Sequence, residues 1–76
     1  MRSTVTDFHV VVVYAPSRRR KTFVITNCED AEGARELALS DHEIERWGSM
    51  HTSTVCHLSE VSTNGDELWV DANDFR

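Results

Sequence analysis

The run of β-branched and aromatic residues at positions 8–14 (FHVVVVY) constrains the fold of this chain more than any other feature. Such side chains favour extended backbone, and the sequence Ala15-Pro16-Ser17 that follows is typical of a turn. A strand with one solvent-exposed face alternates apolar and polar residues, and four consecutive valines do not. We therefore expect this strand to have neighbours on both sides. The chain must therefore build a sheet around it.

Three more extended segments are predicted. Residues 22–26 (TFVIT) lie close enough to residues 8–14 to pair with them as an antiparallel hairpin. Residues 54–61 form a third predicted strand. Residues 67–71 form a fourth, which is expected to fold back on the third because the Asn-Gly pair between them tolerates the positive φ angles of a tight turn.

Between the second and third strands, the segment DAEGARELAL carries alanine and leucine at three- and four-residue spacing, which predicts a helix with one apolar stripe. Asn27 or Asp30 can accept its first backbone amides. The following SDHE matches a capping box, so the helix is expected to restart as a short turn ending at Trp47 and Gly48. The predicted fold is a single α+β domain over residues 1–76, β-β-α-β-β, with a four-stranded antiparallel sheet covered on one face by the helix.

Charge is divided along the sequence. Residues 1–27 hold five Lys and Arg against one Asp, whereas residues 28–76 hold twelve carboxylates against three arginines, for a formal net charge of −5. Such a division predicts one basic and one acidic surface, and it favours partners chosen by charge.

The basic part is concentrated in one cluster, which the predicted strands put at the tip of the first hairpin: Arg18, Arg19, Arg20 and Lys21. Three interpretations are open: the cluster is a solvated loop, it binds nucleic-acid phosphates, or it pairs with acidic groups of a second copy. The acidic remainder would repel a polyanion within a Debye length of about 8 Å. The predicted sheet also lacks the aromatic pair that RNA-recognition sheets use for stacking. Direct nucleic-acid binding is therefore disfavoured.

The acidic residues of the helical region form the other predicted contact surface. They are Glu29, Asp30, Glu32, Glu36, Asp41, Glu43 and Glu45. Such a set is commonly a solubilising surface. The alternative is that spaced carboxylates imitate a phosphate backbone and bind a basic channel on a nucleic-acid-binding protein.

No motif for catalysis or for a metal is present. The four histidines form no HExxH, nucleophile-elbow or Gly-rich phosphate signature with their neighbours. Cys56 and His57 would point to opposite faces of a strand and so make poor zinc co-ligands, and we expect Cys28 and Cys56 to be separate thiols. We therefore expect no enzyme, cofactor or metal. With no apolar run long enough to cross a bilayer and no signal peptide, we expect a cytoplasmic monomer or small homo-oligomer.

The segments FHVVVVYAP, TFVIT, DAEGARELAL, TVCHLSEV and NGDELWV, in this order, resemble those of the compact, phage-encoded α+β anti-CRISPR proteins that act on type I (Cascade) surveillance complexes. The resemblance implies a protein of the host-cell cytoplasm that binds a basic Cas subunit or complex and prevents loading of target DNA. It carries over no binding residue, so the contact residues above rest on charge alone. The first hypothesis is a non-enzymatic inhibitor with an acidic surface that partly mimics DNA. The alternative is a small nucleic-acid-binding or structural phage accessory protein that uses the basic hairpin.

Overall fold

The computed structural model describes residues 4–75. Within them the chain forms four strands, two α-helices and two short 3₁₀ turns. The strands are β1 (Thr6–Tyr14), β2 (Arg19–Cys28), β3 (His51–His57) and β4 (Leu68–Asp71); the helices are α1 (Ala31–Leu39) and α2 (His42–Trp47); the 3₁₀ turns are Leu58–Glu60 and Ala72–Phe75. No helix among these residues is long and apolar enough to span a membrane.

The valine-rich strand is central, as its composition predicts. The sheet order is β3-β1-β2-β4, and β1 is antiparallel to both of its neighbours. The predicted first hairpin is confirmed, with Val10 opposite Phe23 and Val12 opposite Lys21. The α+β class and the four-stranded sheet are likewise confirmed.

The fourth strand does not pair as predicted. β4 runs parallel to β2, with Phe23 opposite Leu68 and Ile25 opposite Val70, so the sheet is mixed and the predicted antiparallel β3–β4 hairpin is wrong. The connection 58–67 leaves β3 at one edge of the sheet and reaches β4 at the other. The Asn-Gly turn within this connection is closed by a side chain, the carboxylate of Glu67, and not by a neighbouring strand.

The core lies between the sheet and the two helices. Side chains at every second position of β1 and β2 face the helices, and small alanines on α1 allow a close approach. The core residues are Phe8, Val10, Val12, Phe23, Ile25, Cys28, Ala34, Ala38, Ile44 and Ala72. Val24 alternates to the opposite face and yet is fully buried, so the connection 58–67 covers part of that face too.

The strand boundaries differ from the predicted ones in a way that affects the charged residues. β2 begins at Arg19, so three of the four basic residues lie in a strand and not at a loop tip. The second helix ends as predicted at Gly48, whose φ of 65° is in the positive range that glycine tolerates. Trp47 stacks on Tyr14, with ring centroids 5.3 Å apart, which holds α2 against the sheet.

Candidate interaction surfaces

The four residues of the basic cluster are divided between the two faces of the sheet. Arg18 lies in the turn before β2 with a φ of 61°, and Arg19, Arg20 and Lys21 belong to β2. Because side chains alternate along a strand, Arg19 and Lys21 project towards the helices and Arg20 towards the opposite face. The structure therefore brings only part of the cluster together on each side.

The two cations that face the helices are paired with α2 and its N-cap. Lys21 Nζ lies 2.6 Å from Asp41 Oδ2 and 3.1 Å from Glu43 Oε1. Arg19 Nη1 lies 3.2 Å from Glu43 Oε2. The basic hairpin and the acidic helical region, which the sequence separates by about twenty residues, thus neutralise one another across β2 and α2.

This pairing shifts the pKa values of Lys21, Asp41 and Glu43. Partial burial alone would lower the pKa of Lys21, but hydrogen bonds to Asp41 and Glu43 and their negative charges outweigh burial and raise it. Partial burial alone would raise the pKa of Asp41, whereas Lys21 and two backbone amides lower it. The pKa of Glu43 is lowered by its hydrogen bond to Lys21, with a further contribution from Arg19. All three groups are therefore charged at neutral pH.

Two of the predicted acidic contact residues cap helices. Asp30 Oδ1 accepts a hydrogen bond from the backbone N–H of Gly33 at 2.7 Å, at the start of α1. Asp41 Oδ2 accepts one from the backbone N–H of Glu43 at 3.1 Å, at the start of α2. A Cβ atom at Gly33 would lie 3.1 Å from Asp30 Oδ1 and 3.3 Å from Cys28 Sγ, so glycine allows the cap to close tightly. Asp30 and Asp41 thus have structural functions.

Two other predicted acidic residues are paired within their own helices. Glu32 Oε1 lies 3.6 Å from Arg35 Nη1, and Glu45 Oε1 lies 3.9 Å from His42 Nδ1, each at three-residue spacing. Both carboxylates are largely exposed, and exposed pairs of this kind contribute little to stability. Glu32 and Glu45 therefore stay accessible to a partner.

The remaining carboxylates of the set gather around α1. Glu29 and Glu36 are exposed, form no ion pair within residues 4–75, and line one shallow cleft of about 310 Å³ together with Leu37 and Ala72. Glu32 precedes Glu36 by one helical turn, and its side chain is 75 % exposed. We call Glu29, Glu32 and Glu36 the acidic α1 face. It combines a high density of negative charge with a partly apolar floor.

Two features of the opposite face were not predicted. The side chain of Glu67 is 3 % exposed and lies 4.0 Å from His9 Nε2, so the connection 58–67 lies against β1. Trp69 on β4, which is opposite Val24 and shares its face, is 61 % exposed. The sequence does hold a signal for the first feature, since a Glu three residues after Asn64 is within reach of the turn amides.

The histidines, cysteines and carboxylates do not converge on a centre. Within the described part of the chain, no three of these side chains are grouped so that they could hold a metal ion. Cys28 is buried and Cys56 is partly buried, both as thiols. A larger cleft, of about 610 Å³, lies beside β1 and β2 and is lined by His9, Arg20, Asp66 and Glu67 among others. The Glu67 carboxylate in it is already engaged by the amides of the Asn-Gly turn.

Comparison of the chain with protein-family models, with curated proteins and with solved structures gave no match in any of the three searches.

Proposed function

We propose that the protein is a non-catalytic binding protein whose acidic α1 face contacts a basic surface of a nucleic-acid-binding partner. The observation that carries this proposal is the pairing of Arg19 and Lys21 with Asp41 and Glu43. Two cations and two carboxylates cancel there, so the formal net charge of −5 resides on the rest of the molecule. The pairing weakens the basic hairpin as a phosphate-binding element. On the acidic α1 face Glu32 pairs with Arg35, and Glu29 and Glu36 form no ion pair within residues 4–75.

The geometry of α1 suits a contact with a cationic groove. Glu32 and Glu36 are one turn apart, about 6 Å along the axis, so α1 presents a row of carboxylates on one side. Glu29, which precedes the helix, lines the same cleft as Glu36. Complementary fields between such a row and a basic channel accelerate association and favour correct orientation.

The partner that we propose to test first is a type I surveillance complex, because the order of the segments in this chain resembles that of small anti-CRISPR proteins. In this proposal the acidic α1 face occupies basic residues that otherwise bind target DNA. Inhibition then requires no catalytic residue and no cofactor.

The direct test is competition for target DNA. A purified type I surveillance complex is mixed with labelled double-stranded target DNA and increasing amounts of the protein, and DNA binding is followed by gel mobility. We expect the wild-type protein to abolish DNA binding and Glu29→Lys/Glu36→Lys to lose at least tenfold in potency. A wild-type protein without effect contradicts the type I target.

A matched control separates the acidic α1 face from overall charge. Asp66→Lys changes the charge by the same amount as Glu36→Lys, but Asp66 is exposed beside the cleft on the opposite face. We expect Asp66→Lys to inhibit nearly as well as wild type and Glu36→Lys to be clearly weaker. Equal loss in both variants would mean that net charge, and not the α1 face, determines inhibition.

A second candidate function is direct nucleic-acid binding through the basic hairpin. It is favoured by Arg18 and Arg20, which are exposed and form no ion pair within residues 4–75. This function requires that the protein alone retards DNA or RNA in a salt-sensitive manner, and that Arg18→Ala/Arg20→Ala removes the retardation. We expect no retardation by the wild-type protein.

A further inference from the structure

Strand β3 lies at the edge of the sheet and is paired on one side only among the described residues. It runs for seven residues in unbroken register with β1, from His51 opposite Tyr14 to His57 opposite Phe8. An edge strand presents a row of backbone N–H and C=O groups that another strand can pair with.

The backbone groups on the outer side of β3 can be assigned from one contact. The N–H of Ala15 donates to the carbonyl of Met50 at 2.9 Å, so this pair is hydrogen-bonded between the two strands. In an antiparallel ladder every second pair is of this kind, and Thr52, Thr54 and Cys56 therefore direct their backbone groups towards β1.

The residues between them direct their backbone groups outward. The N–H of His57 bears this out, because it donates to Glu60 Oε1 at 3.1 Å and not to β1. Ser53 and Val55 are left in the middle of the edge with outward N–H and C=O groups. Four strong hydrogen-bonding groups are thus available side by side.

The middle of this edge lacks the usual protections against strand pairing. Residues 51–57 (HTSTVCH) contain no Pro, Lys, Arg, Asp or Glu, and their pairing with β1 shows no bulge. Natural edge strands are normally guarded by such residues or by bulges. The other edge, β4, has only four residues and ends at Asp71. The unguarded edge of β3 is therefore the more favourable docking surface.

We propose that β3 pairs antiparallel with β3 of a second copy of this chain, about a two-fold axis at Thr54. In that register the backbone N–H and C=O groups of Ser53 bond to those of Val55 in the other copy, and those of Val55 bond to Ser53 of the other copy. This gives four new hydrogen bonds and one continuous eight-stranded sheet. A two-fold axis relates residues that lie at equal distances on either side of it along the strand. Ser53 and Val55, whose backbone groups point outward, each lie one residue from Thr54.

Charge supports a second copy as the occupant. The edge itself carries no like charges that would oppose each other across the axis, despite the net charge of −5 on each chain. In the same register His51 of one copy lies opposite His57 of the other, whose outward N–H already donates to Glu60 Oε1 of its own chain. The new hydrogen bonds are therefore those of Ser53 and Val55. This inference is independent of the acidic α1 face.

The first test is the oligomeric state, measured by sedimentation velocity over a range of protein concentrations. We expect the wild-type protein to form a dimer and Thr54→Lys to stay monomeric at the same concentrations. Thr54 is exposed, so the lysine does not disturb the fold, but in the dimer it would face its own copy across the axis. Thr63→Lys, an exposed control in the connection 58–67, should dimerise like the wild type. A monomeric wild type, or a Thr54→Lys variant that dimerises equally well, overturns the proposal.

The second test fixes the register. Residues opposite each other at a non-hydrogen-bonded pair have Cα atoms about 4.5 Å apart, which a disulfide can bridge. Under mild oxidation we therefore expect Thr54→Cys, in a Cys56→Ser background, to form a disulfide-linked dimer that Thr63→Cys in the same background does not form. A dimer that gives no cross-link at position 54 would use another surface, and pairing through β3 about Thr54 would be wrong.

Discussion

At the scale of single residues, the carboxylate of Glu67 holds the least regular part of the chain in place. Its two oxygens accept hydrogen bonds from the backbone N–H groups of Asn64 and Gly65, both at 3.0 Å, and His9 approaches it from β1. These backbone hydrogen bonds lower the pKa of Glu67 below its ordinary value of 4.5, against the opposing effect of burial. The turn therefore depends on an ionised side chain.

Replacing Glu67 by Gln should lower the thermal stability at neutral pH, because the neutral amide accepts hydrogen bonds more weakly and has only one oxygen for two amides. A carboxylate with a lowered pKa stabilises the fold above its unfolded-state value, and this contribution is lost as the pH falls below about 4.5. We therefore expect the Tm of wild type to fall more steeply than that of Glu67→Gln between neutral pH and pH 3. Thermal denaturation followed by circular dichroism measures both effects.

The control for this prediction is Asp66→Asn, which removes one exposed charge from the same turn. Its Tm at neutral pH should stay close to that of wild type. If Glu67→Gln matches Asp66→Asn in Tm and in pH profile, the buried carboxylate does not support the turn.

At the scale of elements, Lys21 joins α2 to β2. The six residues of α2 are too few to be stable alone, so the helix depends on its contacts with the sheet. Ile44 supplies the apolar contact, and the pairing of Lys21 with Asp41 and Glu43 supplies the polar one. The second contact also fixes the N-cap residue of the helix.

Lys21→Met should lower the free energy of unfolding by roughly 1.5–3 kcal/mol, the usual range for a hydrogen bond to a charged group. The adjacent Arg20→Met, on the exposed opposite face, should change it by less than about 0.5 kcal/mol. Urea denaturation at pH 7 compares the two. Equal effects in both variants would show that Lys21 and α2 are not coupled.

The contact between Lys21 and Asp41 stabilises the fold over a defined pH range. The raised pKa of Lys21 means that its contribution is complete below 10.5 and is lost as the pH rises above that value. The lowered pKa of Asp41 means that its contribution is complete above 3.8 and is lost on acidification. The difference in stability between wild type and Lys21→Met should therefore be largest between these limits.

The elements themselves were largely predictable, because their signals are local. Valine-rich and alanine-rich segments gave β1 and α1, and Asp30 was one of the two predicted caps of α1. For α2 the capping-box pattern SDHE implied Ser40 as the cap, whereas Asp41 caps the helix. The partner of β4 was not predictable, since four residues (LWVD) carry no information on the direction of their neighbour. The Asn-Gly pair favoured a hairpin, and the side chain of Glu67 satisfied the turn in another way.

The candidate surfaces were predictable in composition but not in arrangement. The sequence predicted a loop at residues 18–21, whereas β2 begins at Arg19. Because these residues belong to a strand, Arg19 and Lys21 point to one face of the sheet and Arg20 to the other. Whether Lys21 meets Asp41 depends on how α2 crosses the sheet, which is a tertiary property without a sequence signal. The sequence predicted two separate charged patches. In the structure, part of each patch forms ion pairs between β2 and α2, and the acidic surface that remains is the smaller acidic α1 face.

In the molecule as a whole, we propose that the acidic α1 face, and not the basic hairpin, contacts the partner. Hydrogen–deuterium exchange of the protein, measured with and without a type I surveillance complex, tests this most directly. We expect the backbone amides of residues 29–39 to exchange more slowly in the complex, while those of residues 15–21 are unchanged. Protection confined to residues 15–21, or no protection anywhere, would contradict the account.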